Sequence, residues 1–261
     1  MRQKTSAIVT ATPEHLISPS LPPLFMDPVI ARIRQELNAY AEPAAQLTFQ
    51  RFFKEAVKCY GVNVPTVTRI ARKYWKEIKS REKQEIFRLC EELFKSGYCE
   101  EAFVVSNWVP LLRDWYEPAD LAVFRRWIDT YITNWAACDG FCNHSVGDFI
   151  SKYPDTVDEL RHWTKSENRW MRRAAAVSLI VPAKHGKFLN EAIGIADLLL
   201  NDTDDMVQKG YGWLLKEASR HHQAEVFEYV MRNRKIMPRT ALRYAIELMP
   251  ENLRAEAMKK V

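Results

Sequence analysis

Residues 65–78, PTVTRIARKYWKEI, decide the fold. Val67, Ile70, Tyr74 and Ile78 recur there at helical spacing and form one apolar stripe. Pro65 opens the segment, where a missing N–H costs nothing because first-turn donors have no partner inside the helix. Outward from this stretch, nearly every segment repeats the same spacing, and no run alternates with the two-residue period of a strand. Further prolines (Pro28, Pro43, Pro118, Pro154, Pro238, Pro250) stand at first-turn positions, Gly61 and Gly97 at helix ends, and Ser166 and Thr203 at N-caps. Helices are predicted throughout residues 28–260, among them 43–59, 65–79, 98–114, 135–152, 168–181 and 204–220. The expected class is all-α. Short connectors favour antiparallel neighbours and an α-solenoid, with a compact helical bundle as the alternative. No motif recurs at a fixed period, so the repeats would be degenerate.

Composition agrees with a helical chain. Glycine supplies 8 of 261 residues, well under the usual ~7%, which argues against turn-rich all-β and glycine-loop α/β classes. No apolar run approaches the ~18 residues of a membrane span. Five cysteines make a poor disulfide framework and point to a reducing cytoplasm. The first residues lack the apolar core of a secretory signal. The expected organisation is a flexible tail over 1–26 followed by one helical-repeat domain over 27–261.

The net charge of +5 is unevenly placed. Residues 69–83 carry seven bases and two acids, residues 231–243 five bases and no acid, and residues 84–120 eight acids against three bases. Such segregation suits an anionic partner; solvated helix faces are the plainer reading of any single cluster.

Four segments hold more than a core stripe. In 65–79, Arg69, Arg72, Lys73 and Lys76 share a face opposite the apolar stripe, at a spacing suited to phosphates. In 168–181, Arg169, Arg172 and Arg173 are expected on one face, for phosphate contacts or for stacking on a core aromatic. In 204–220, Trp213 falls off the core stripe, beside Lys209, Lys216 and Gly210, and either lines a groove or packs on a neighbouring repeat. In NWAACDGFC (134–142), Trp135 and Asp139 lie one turn apart, and Asp139 interrupts an apolar stripe extended by Cys138, Cys142, Val146 and Phe149. A carboxylate there requires either a partner, backbone or arginine, or a function beside an aromatic in stabilising positive charge. Cys138, Cys142 and His144 lack a fourth ligand, so no metal is expected, and no glycine loop or nucleophile motif implies a cofactor.

Taken in order, YGVNVPTVTRIA (60–71), NWAACDGFC, NRWMRRAAAVSLI (168–180) and KGYGWLLKE (209–217) resemble motifs of the DNA alkylation repair family, AlkD-like HEAT-repeat alkylpurine DNA glycosylases. The resemblance spans roughly residues 45–250. It implies a solenoid with a concave DNA-binding cleft, Trp135 and Trp213 as cleft aromatics, Asp139 as catalytic carboxylate and Arg173 as cleft arginine. It further implies release of N3- or N7-alkylpurines from double-stranded DNA by a monomer, with the lesion left stacked rather than flipped. Ala136 stands where the family often has an acid, and Phe52 near a tyrosine of some members. A non-catalytic DNA-binding repeat protein and a protein-interaction scaffold are the alternatives.

Overall fold

The computed structural model describes residues 26–259, and among them every regular element is helical. The all-α expectation holds. The tail expected over 1–26 lies, apart from Met26, outside the described residues. Strand-like pairing among these residues is limited to one isolated bridge between Lys58 and Tyr98. No described helix is long and apolar enough to cross a membrane.

Six helices stack in a front row, each against the next: Val64–Ile78, Cys99–Trp108, Trp135–Phe141, Arg169–Val177, Asp205–Ala218 and Arg239–Ala245. Their first residues follow one another at intervals of 34 to 36. A second row packs behind, formed by Lys83–Lys95, Asp120–Tyr131, Asp158–Trp163, Leu189–Leu199 and Gln223–Asn233. The repeat that no sequence motif announces is therefore a structural period, as in solenoids built from degenerate units. The stripe Val67, Ile70, Tyr74 and Ile78 is buried between the rows. Each such side chain contributes roughly 1.5–3 kcal/mol by leaving water.

Short polar side chains set where front-row helices begin. Asn63, Asn134, Asn168 and Asp204 each sit one residue before a helix and accept a first-turn N–H at 2.8–3.0 Å. The caps expected at Ser166 and Thr203 are thus displaced towards the helix. Ser166 Oγ accepts the Asn168 N–H instead, shaping the turn before the cap.

Four predicted helices are interrupted, the one over 168–181 by a turn at residues 178–179. The one expected over 43–59 ends at Gln50, whose amide donates to the Glu55 carbonyl and accepts from the Val57 N–H, folding the chain into a loop. The one over 98–114 tightens to 3₁₀ geometry after Trp108, because Pro110 has no N–H to continue the α-ladder. The one over 135–152 passes through a π-turn at Cys142–Val146.

Glu100 is a fully buried carboxylate that accepts the backbone N–H groups of Tyr60, Gly61 and Val62 at 2.8–3.0 Å. Gly61 needs its positive φ of 82° there, and a Cβ would lie 2.5 Å from the Glu42 carbonyl. These bonds moor the chain just before the first front-row helix. Glu100→Gln presents an N–H to those donors and is expected to lower stability by about 1.5–3 kcal/mol. Urea denaturation checks this; an unchanged midpoint would show that the mooring lies elsewhere.

Candidate functional site

Trp135 opens the third front-row helix, held by the Asn134 cap, and Asp139 follows one turn later. Asp139 is buried, and both its oxygens accept from Arg173: Nε to Oδ1 at 2.8 Å and Nη2 to Oδ2 at 2.7 Å. An arginine partner is thus the first reason a carboxylate stands in this apolar stripe. Arg173 occupies the fifth position of the next front-row helix, as Asp139 does of its own. Its Nη1 donates to the Met206 carbonyl on the helix after that. Three consecutive repeats therefore meet at one ion pair. Burial pushes the Asp139 carboxyl above its usual value, while the Arg173 charge opposes that shift. The guanidinium remains charged throughout the physiological range, and each carboxylate oxygen keeps a lone pair that Arg173 does not use.

Trp135 is partly exposed. Its Nε1 donates to the Phe52 carbonyl at 3.2 Å, and Phe53 stacks on its ring at a centroid distance of 5.3 Å. Trp213 lies two turns into Asp205–Ala218 and donates to Glu217 at 3.3 Å. Among the described residues, no hydrogen bond or ring stacking joins Trp213 to Trp135 or Asp139. The neighbouring glycines, Gly210 and Gly212, both admit protein. A Cβ on Gly210 would lie 3.3 Å from Arg173 Cγ, and one on Gly212 would lie 2.7 Å from the Ala241 carbonyl. Gly210 therefore makes room for the arginine of the pair, and Gly212 for the last front-row helix.

The predicted cations divide into engaged and open sets. Arg169 pairs with Glu55 at 2.6 Å and Asp204 at 3.0 Å, and lies over the Trp170 ring. Arg172 pairs with Asp202 at 2.6 Å, so the three arginines do not share one open face. Lys209 meets Asp205 at 3.4 Å, and Lys216 meets Glu247 at 2.7 Å. On the first front-row helix, Lys73 pairs with Glu36, and Arg69 lies over the Tyr40 ring. Among the described residues no carboxylate pairs with Arg69, Arg72 or Lys76, which line an open groove of about 600 Å³. Arg239 and Arg243 are exposed at the first and fifth positions of the last front-row helix, also without a described acid partner. The charge run over 231–243 marked them, but only the period places them in the row. Glu55 and Phe53 carried no sequence signal, because the segment reads as helix. Cys138 and Cys142 are buried free thiols, and no described cluster of three or more donors is arranged for a metal ion.

Arg173→Met leaves a buried carboxylate without its counter-ion and is expected to cost about 3–5 kcal/mol at neutral pH. In the variant, burial acts on Asp139 unopposed, so the folded state takes up a proton more readily than the unfolded chain. The deficit therefore shrinks as pH falls. Urea titrations at pH 7 and pH 5 read both effects, and a pH-independent deficit contradicts them.

A family model described as "DNA alkylation repair enzyme" matches residues 33–249. No curated protein matches the chain. Among solved structures, one described as "Predicted DNA alkylation repair enzyme from Enterococcus faecalis" superposes with a TM-score of 0.72 at 15% identity, over 81% of this chain and 97% of that one. A second, smu.31 from Streptococcus mutans UA159, superposes with a TM-score of 0.52 at 19% identity, over 74% of this chain and 98% of that one. At such identities the two structures speak for the fold.

Proposed function

The chain belongs to the DNA alkylation repair enzyme family, and from that premise we propose that it is a DNA glycosylase acting on cationic N3- or N7-alkylpurines in duplex DNA. The observation that carries this reading is Trp135 and Asp139 on adjacent turns, with the carboxylate oriented by Arg173. An alkylated purine already bears positive charge, so its departure as a neutral base needs little acid assistance. As the C1′–N bond breaks, its electron pair leaves with the base and positive charge moves to the deoxyribose. Asp139 stabilises that cation and orients the water whose oxygen bonds to C1′; the water's proton passes to solvent or to the carboxylate. The uncovered side of the Trp135 indole adds attraction that grows as charge develops. Trp213 is a second candidate for such a contact. The lesion stays largely stacked in this scheme, since catalysis requires access to the sugar rather than to the base. Arg69, Arg72, Lys73 and Lys76 suit backbone phosphates, joined by Lys209, Lys216 and Arg169 nearer the centre, whereas Arg172 and Arg173 are taken up by Asp202 and Asp139 and act by orienting the site. The five free thiols fit a reducing cytoplasm, and the chain is proposed to work there as a monomer.

One feature favours a second reading, a DNA-binding repeat protein without chemistry: both Asp139 oxygens are already engaged by Arg173. Mass detection of free 7-methylguanine from methylated duplex separates the two. Asp139→Asn is expected to reduce release at least about 100-fold while duplex affinity stays near wild type. Circular dichroism verifies that the variant folds. Trp135→Ala, at a partly exposed position, is expected to slow release by roughly 3- to 30-fold. Undiminished release by both variants sinks the assignment.

Release by the wild type is also expected to fall on the acid side, as Asp139 takes up a proton. Because burial raises that carboxyl, the inflection lies above the ordinary aspartate range. Single-turnover rates across a buffer series check the position; a flat profile through that region removes Asp139 from the chemistry.

A further inference from the structure

The residues after the Pro43–Gln50 helix form a strap along the front row, touching the first residue of three consecutive helices. The Phe52 carbonyl accepts from Trp135 Nε1, and Phe53 packs between the Trp135 and Phe49 rings, with centroids 5.3 and 4.9 Å away. Glu55 Oε1 lies 2.6 Å from Arg169 Nη1, and Lys54 Nζ lies 2.5 Å from Asp205 Oδ2. One end of the strap is therefore fixed by apolar burial, for Phe53 is buried. The other end is held by an exposed Lys54–Asp205 pair, a partly buried Glu55–Arg169 pair and the Gln50 amide, which bonds the Glu55 carbonyl and the Val57 N–H.

The acids on Arg169 are not equivalent. Asp204 holds Nη2 at 3.0 Å while capping the following helix through the Met206 and Val207 N–H groups, so it cannot leave without uncapping that helix. Glu55 has no such second duty for its carboxylate, and it stands on a loop. It covers the Nη1 edge of an otherwise oriented guanidinium, two residues along the strap from the Phe53 ring that stacks on Trp135. A carboxylate on that edge has the charge and acceptor geometry of a phosphate oxygen.

We infer that the strap is an anion-released latch. In the free protein the Glu55 carboxylate occupies the position on Arg169 that a backbone phosphate takes when duplex binds. Displacement parts residues 54–57 from the Gln50 amide, swings them away about the Phe53 anchor and uncovers the Nη1 edge of Arg169. Lys54, released from Asp205, then turns to the same phosphate. The inference rests on the reading of DNA as the partner and adds a subsite and its occupant in the free state.

Fluorescence anisotropy with undamaged duplex compares wild type, Glu55→Gln and Glu228→Gln. Glu228 is exposed on Gln223–Asn233, and its replacement controls for the loss of one negative charge. Glu55→Gln is expected to bind up to about fivefold more tightly than Glu228→Gln. Without DNA, amide hydrogen exchange over residues 54–57 is expected to quicken in Glu55→Gln and not in Glu228→Gln. Equal affinities of the two variants, or unchanged exchange over 54–57, overturn the latch while DNA binding by the wild type stands. No affinity in any of the three proteins overturns the DNA reading itself, a result that the exchange measurement does not depend on.

Discussion

A carboxylate and a guanidinium buried together constrain the middle of this chain. Asp139 and Arg173 sit 34 residues apart, at the same position of consecutive front-row helices, and neither is tolerable without the other in a dry interior. Their geometry propagates outward. Arg173 passes Gly210 on its way to the Met206 carbonyl, and a Cβ there would crowd its side chain at 3.3 Å. Gly212, two residues on, lets the last front-row helix approach more closely still, where a Cβ would lie 2.7 Å from the Ala241 carbonyl. The spacing of four helices thus depends on one ion pair and two absent methyl groups.

The same pair explains how charge is distributed along the row. In the centre each arginine is matched: Arg169 by Glu55 and Asp204, Arg172 by Asp202, Arg173 by Asp139. At the ends Arg69, Arg72 and Lys76, and then Arg239 and Arg243, stand open to solvent. A polyanion lying along this row meets uncompensated cations at both ends and a nearly balanced centre. Attraction at the ends then does the holding, and the centre contributes orientation and the local field of Asp139.

Much of this was legible in the sequence, for identifiable reasons. Val67, Ile70, Tyr74 and Ile78 declared a helix because burial against a second row demands that spacing. Trp135 and Asp139 stood out because a charge in an apolar stripe violates ordinary partitioning. The partnership of Asp139 with Arg173 was not legible, because it is made across repeats and the period is written in caps rather than in a motif. Asn63, Asn134, Asn168 and Asp204 keep that period, yet Ser166 and Thr203 are equally good caps by chemistry and masked it. The loop after Gln50 was misread because PAAQLTFQRFFKEAVK has helical propensity throughout. Its residues are claimed instead by Trp135, Arg169 and Asp205, which no local rule can foresee.

The period also gives the site its logic. The first and fifth positions of successive front-row helices read Val64 and Thr68, Cys99 and Phe103, Trp135 and Asp139, Arg169 and Arg173, Asp205 and Lys209, Arg239 and Arg243. Backbone geometry repeats along this strip while side-chain chemistry changes at every step, from apolar through aromatic and acidic to basic. A stacked row fixes each helix by contacts on its flanks, leaving these positions to differ in chemistry provided that charges buried in the row's interior are matched. Asp139 meets that condition through Arg173 one repeat later, and Arg169 meets it through Asp204 one repeat later again. A buried carboxylate can therefore be built into the row without a pocket of its own. Its orientation comes from the repeat that follows, through the two Arg173 hydrogen bonds.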